Sequence, residues 1–319
     1  MVRRRPSSLF AAARAAIAGG LILLAACAPE VAREGLESAM PAIESDVFVT
    51  RDGLRLPLRH WDAAHPKAII VALHGMSDYS EALDMPGPIW AAAGITTFAY
   101  DQRGFGAAPN PGVWAGSDAM RGDLDDFVEA VRARYSGVPV YALGESMGGA
   151  VVLSSLASAH PPRIDGAILI APAVWSREDM PFYYGWALWL VAHVLPGIHL
   201  SGNGLHIIAC NNYAVLRKLS RDPLFQHSAR ADQVYGLVNL MDQARKAAAK
   251  LPANAPPILF LYGAHDQVIP APPTEATIKD LGSHVEVHRD DNGYHMLLRD
   301  LDGDTQSKLV SDWILRRTH

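Results

Sequence analysis

A chain of 319 residues, half of them hydrophobic, is long enough to bury one large core as a single α/β domain. A formal net charge of −5, with no basic run beyond the first few residues, leaves nucleic acid out as an expected partner. The two cysteines, Cys27 and Cys210, do not make a disulfide framework, and no His-Glu-x-x-His or Cys-x-x-Cys spacing supports a metal site; no cofactor is expected.

The chain opens with Arg3, Arg4 and Arg5, followed by 12 apolar residues from Ala15 to Ala26. About 20 would be needed to span a bilayer as a helix, so residues 1–26 read as an export signal rather than a membrane span. The run ends Leu24-Ala25-Ala26-Cys27, which resembles the lipobox of bacterial lipoproteins. That resemblance implies cleavage before Cys27, lipidation of Cys27, and a protein anchored by lipid in the bacterial cell envelope. Ala28 is not the aspartate linked with inner-membrane retention, which points to the outer membrane. Residues 27–45, rich in Ala, Glu and Pro, read as a tether. Cys210 reads as a small packed hydrophobe.

Residues 47–61 read as two strands about the Asp52-Gly53 turn, with Pro57 suggesting an edge position. From there the pattern alternates. Apolar strands are expected at 68–73, 94–100, 138–144, 164–170, 257–262 and 285–287, and helices at 123–135, 150–160 and 305–315. Continuous apolar strands alternating with helices predict a mostly parallel sheet covered on both faces, with its site at the carboxyl ends of the strands. Residues 175–251 interrupt the alternation and are expected to form a cap between the core halves 46–174 and 252–319. Its aromatic residues, Tyr183, Trp186 and Trp189 among them, are candidates for lining an apolar substrate pocket, with a purely structural role as the alternative.

The most informative stretch is Gly144-Glu145-Ser146-Met147-Gly148, at the junction of a strand and a small-residue helix. A serine held on a strained strand-to-helix turn needs neighbours with almost no side chain at both flanks, and the helix start directs N–H groups at negative charge. Ser146 is therefore the candidate nucleophile. A base must take its proton, and a carboxylate must orient that base. Asp266, just past the strand at 257–262, and His295, in a later loop, are assigned these roles. His265, His284 and His288 are weaker rivals for the base. Asp290 and Asp291 remain alternatives to Asp266, while Asp222 follows no core strand. The negative oxygen of a tetrahedral intermediate needs two donors, assigned to the backbone N–H groups of Met147 and Met76.

Together with His74-Gly75-Met76-Ser77-Asp78-Tyr79, Asp101-Gln102-Arg103-Gly104, Gly263-Ala264-His265-Asp266 and Gly293-Tyr294-His295, these motifs resemble the α/β-hydrolase superfamily from about residue 46 onward. Within it the chain resembles the monoacylglycerol lipase, lysophospholipase and serine-aminopeptidase-like group. The resemblance implies an α/β-hydrolase fold and hydrolysis of carboxylic esters, monoacylglycerol or lysophospholipid-like, through an acyl-enzyme. It also implies a structural role for Arg103 near the elbow. A serine aminopeptidase, with Glu178, Asp179 or Asp222 holding a free amine, is the rival activity. A non-catalytic lipid-binding envelope lipoprotein is the rival class.

Overall fold

The computed structural model describes residues 28–202, 204 and 206–318. The signal sequence expected at 1–26 and the lipidation site expected at Cys27 lie outside them.

In chain order the strands are β1 (Ala42–Glu44), β2 (Val47–Val49), β3 (Arg55–Trp61), β4 (Ala68–Leu73), β5 (Ile95–Tyr100), β6 (Val140–Glu145), β7 (Gly166–Ile170), β8 (His199–Leu200), β9 (Ala229–Arg230), β10 (Ile258–Gly263) and β11 (Val285–Asp290). The α-helices are α1 (Pro86–Ala92), α2 (Ser117–Arg134), α3 (Met147–Leu156), α4 (Phe182–Val194), α5 (Tyr213–Leu219), α6 (Ala231–Ala248), α7 (Ala271–Leu281) and α8 (Gly303–Leu315). The main sheet runs β1-β2-β3-β5-β4-β6-β7-β10-β11. The first three strands are joined antiparallel, and every pairing from β5 onward is parallel.

The continuous apolar runs arise because both faces of the parallel half are covered. Along β4, Ile69, Val71 and Leu73 join Leu124, Phe127 and Val131 of α2 and Val151 of α3 on one face. Ala68, Ile70 and Ala72 join Trp90 of α1 and Trp313 and Ile314 of α8 on the other. The Trp90 indole N–H, which burial would otherwise leave without water, donates to the Ser307 carbonyl at 2.8 Å and ties α1 to α8.

Several expectations are corrected. Pro57 is not at an edge, because β3 lies between β2 and β5. Its carbonyl accepts from Asp101 N–H at 2.9 Å, just past the end of β5, so its missing N–H faces a place where no ladder partner continues. The tether reading of 27–45 fails from Glu30 onward. Glu30 N–H donates to Asp232, Ala32 N–H to the Trp114 carbonyl, and Gly35 N–H to Asp52, and β1 pairs with β2. The cap reading of 175–251 also runs too far. Val238, Leu240, Met241, Ala244 and Ala247 of α6 sit in the main core against α3, so the excursion closes by about residue 230. Helices α1 and α7 had no counterpart in the sequence reading. One is a seven-residue segment containing two prolines and a glycine. The other begins Ala271-Pro272-Pro273, residues that break a helix interior yet suit its first turn.

Candidate active site

Three groups of loop residues converge at the carboxyl ends of β4, of β6, and of β10 and β11. The first turns on Ser146, whose backbone stands at φ 52° and ψ −114° between β6 and α3. A non-glycine residue adopts this conformation only where its surroundings enforce it. The enforcement is steric. A Cβ on Gly144 would lie 2.3 Å from Gly148, and one on Gly148 would lie 2.3 Å from the Leu73 carbonyl oxygen. Both positions must be glycine for the turn to close against β4. The turn is also bonded from behind: Ser146 N–H donates to Ile170 O at 2.9 Å, and Ala173 N–H to Ser146 O at 2.9 Å.

The second loop follows β4 and lies directly against the serine. A Cβ on Gly75 would sit 3.3 Å from Ser146 Cβ and 3.9 Å from its Oγ. Gly75 thus sets the following peptide, that of Met76, against the elbow whose own next peptide is that of Met147. Neither N–H has a protein acceptor among the described residues. The loop is braced by His74, which is fully buried. Its Nδ1 pairs with Gly75 O at 2.8 Å, and its Nε2 accepts from Gln102 N–H at 2.9 Å. Donation to Nε2 fixes the tautomer, with the proton on Nδ1. Burial holds the His74 pKa below the ordinary imidazole value, so the ring is a neutral strut.

The third group is the expected pair. His295 Nδ1 lies 2.8 Å from Asp266 Oδ2, and both side chains are buried. The other oxygen of Asp266 accepts the N–H groups of Val268 and Ile269 at 2.8 and 3.0 Å, which locks the carboxylate toward the ring. No hydrogen bond joins Ser146 Oγ to the His295 ring in this structure; such contacts commonly tighten only when substrate enters.

The rivals have other work. His265 is exposed and its ring leans on Tyr294, while His284 and His288 lie at β11. Asp290 accepts from Gln306 Nε2 at 2.6 Å and from Asn292 N–H, Asp291 is exposed, and Asp222 accepts the Tyr79 hydroxyl at 2.7 Å. Arg103 is structural, but not at the elbow. It forks onto Asp123 at 2.6 Å and Asp52 at 2.8 Å, joining the β2–β3 turn to α2. Burial opposes its charge, and the bonds to the two carboxylates outweigh burial and raise its pKa. Asp52 is in turn held below the ordinary carboxylate range, chiefly by its bonds from Arg103. Cys210 is buried, as a packed hydrophobe should be, and burial pushes its thiol pKa up to about 12.

The pocket residues divide. Trp186 and Trp189 line an apolar groove of about 500 Å³ with Arg177, Phe182, Gly185 and Tyr235, on the α4–α6 side of the cap. Tyr183 is not in its walls, and neither are Ser146, Asp266 and His295. The local sequence could not reveal this, because an aromatic run looks the same whichever way the helix faces.

A strained serine between two free N–H donors, with a histidine–aspartate pair beyond the next strands of a mostly parallel sheet, defines a carboxylic ester hydrolase of the α/β-hydrolase class. Residues 64–302 match the Hydrolase_4 family, described as serine aminopeptidase, S33, and the chain belongs to that family. It is 27% identical over 276 residues to monoglyceride lipase of Rattus norvegicus, covering 85% of this chain and 90% of the rat protein. It is 24% identical over 281 residues to monoacylglycerol lipase of Mycolicibacterium smegmatis, covering 84% and 95%. In fold it is similar to a soluble variant of monoglyceride lipase from Saccharomyces cerevisiae, with a TM-score of 0.74, 19% identity, and coverage of 92% of this chain and 100% of the yeast chain.

Proposed function

We propose that the protein hydrolyses monoacylglycerol or lysophospholipid-like esters by a Ser146–His295–Asp266 acyl-enzyme mechanism at a lipid surface of the bacterial cell envelope, probing that surface from an anchor at Cys27. The observation that carries the chemistry is the strained Ser146 beside two unpaired peptide donors. His295 takes the Ser146 proton as Oγ attacks the ester carbon. Met76 and Met147 N–H receive the carbonyl oxygen as it becomes negative, where preorganised donors are worth most. Collapse breaks the C–O bond, and the alcohol leaves with the proton from His295. A water, deprotonated by His295, then attacks the acyl-Ser146 carbon; the Oγ–C bond breaks, Ser146 Oγ takes the proton back from His295, and the acid leaves. Asp266 remains a carboxylate, keeping the proton on Nδ1 so that Nε2 is the free base.

The cap favours a lipid ester. Its helix α4 buries only Ala192 and exposes Phe182, Trp186, Trp189 and Leu190 to solvent. An exposed apolar patch of this kind fits a lipid surface better than water. The basic residues Arg217, Lys218 and Arg221 gather on and after α5, where anionic headgroups would meet them. The segment 28–41 before β1, a strap along the body, starts beside the end of α4. Glu30 bonds to Arg230 and Asp232, and Asp232 N–H and Ala231 N–H donate to the Pro196 and Ile198 carbonyls just beyond α4. Three residues span at most about 10 Å, so an acylated Cys27 would enter lipid close to this apolar edge.

The reading is tested on residues 28–319 with p-nitrophenyl esters of increasing chain length, monoacylglycerol, lysophospholipid and amino-acid anilides. Long-chain esters should be cleaved and the anilides spared, and Ser146→Ala and His295→Ala should each lose at least about a thousandfold in kcat. Full activity in either variant would overturn the site, and preference for anilides would make the protein a peptidase. Metabolic labelling of the full chain with a palmitate analogue, lost in Cys27→Ala, tests the anchor.

A further inference from the structure

Arg299 has no role in the chemistry above, yet it joins all three loops of the site. It follows His295 by four residues, with Arg299 N–H donating to Met296 O at 2.8 Å. Its Nη1 donates to Asp78 Oδ2 at 2.6 Å, and its Nη2 to both oxygens of Glu145 at 3.2 Å. The three side chains are between 2% and 5% exposed. Asp78 stands two residues after Met76, and Glu145 immediately before Ser146 and two residues before Met147. The other oxygen of Asp78 accepts the Tyr79 N–H at 3.0 Å, so that carboxylate is fixed to its own loop.

Both oxyanion donors are peptide N–H groups with no side chain of their own to hold them. Their separation is set by whatever fastens the β4 loop to the elbow. We infer that Arg299 is a positioning residue that sets this separation, clamping the Met76 loop and the Met147 turn to the segment that carries His295. The inference rests on the Ser146 reading given above. A planar guanidinium can bridge two carboxylates in one fixed geometry; an ammonium cannot. The charge matters as well. Without the cation, Asp78 and Glu145 would be two buried, uncompensated anions beside the position where the substrate oxygen becomes negative. Burial opposes the Arg299 charge, but the two carboxylates outweigh it and raise its pKa, so the cation persists.

Arg299→Lys keeps a positive charge and removes the fork. Active sites are first counted by titrating each protein to completion with a fluorophosphonate, so that partial unfolding lowers the count and not the rate per site. On a short-chain p-nitrophenyl ester, kcat per titrated site should fall about tenfold to a hundredfold, less than the 10²–10³ typical of losing a donor outright. KM should stay within about threefold, and the inhibition constant of an alkyl boronic acid, which forms a tetrahedral adduct on the serine, should rise in step with the loss of kcat. Glu145→Gln, nearly isosteric, should show the same pattern more weakly and serves if the lysine variant does not fold. A kcat per site and a boronate affinity within twofold of the parent, in whichever variant folds, would overturn the inference and leave Arg299 a structural residue. Fluorophosphonate labelling of the parent, absent in Ser146→Ala, checks the underlying reading separately; a parent that does not label would overturn both.

Discussion

At the scale of single residues, the site is built by exclusion as much as by contact. Gly144 and Gly148 let the turn close, and the strain at Ser146 is held by its bonds to Ile170 and Ala173. His74 illustrates a buried group whose protonation matters to the fold rather than to the chemistry. Its folded pKa is depressed from 6.5 by burial, so its contribution to stability is present above about pH 6.5 and is lost as pH falls, when the unfolded chain takes up a proton that the folded ring refuses. The loss is limited to about 1.4 kcal/mol per pH unit. Denaturant midpoints of the parent and of His74→Asn, measured from pH 7 to pH 5, should draw together as pH falls; a constant gap would show that His74 titrates normally. The sequence could put forward Ser146, Asp266 and His295 as candidates because each follows a strand in a short local motif. It concealed Arg299, whose partners Asp78 and Glu145 lie 221 and 154 residues away.

At the scale of elements, helix α4 and helix α6 show what periodicity cannot tell. Both fall in the stretch expected to form the cap, between the same two core strands. Yet α6 packs into the core through Val238, Leu240 and Met241, while α4 leaves its large side chains in solvent. Only the partner surface separates a core helix from a docking helix, and that surface is not written in either segment. Phe182, Trp186 and Leu190 lie on consecutive turns of α4. Replacing all three with serine should weaken pelleting of residues 28–319 with anionic phospholipid vesicles by at least about tenfold, since even one such side chain is worth more than about 1.4 kcal/mol when fully buried in lipid. The melting midpoint should not fall, because these residues support nothing in the core. Unchanged pelleting would mean that α4 does not meet the membrane.

At the scale of the whole molecule, a mostly parallel sheet was legible as a class, because strands buried on both faces must be apolar throughout. The antiparallel margin was half legible. The β2–β3 hairpin has its Asp52-Gly53 turn, but β1 is three residues long and pairs only with β2. The strap before it carries no local signal at all. It contributes to stability through β1, the Gly35–Asp52 bond and the Glu30–Asp232 bond. A chain beginning at residue 46 should therefore melt about 3 °C lower than one beginning at residue 28, corresponding to about 2 kcal/mol. Equal midpoints would mean that the strap rests on the body without holding it.

The fastened strap has a consequence for how the activity would be measured. A long, loose leash would let the catalytic face turn away and sample dissolved ester. A leash of three residues, which an acylated Cys27 would leave, would not. With Cys27 acylated, the working variable becomes the mole fraction of ester within one layer of lipid, and inert lipid would act as a diluent at constant bulk substrate. Rates would then scale per unit area of membrane rather than per unit volume of solution.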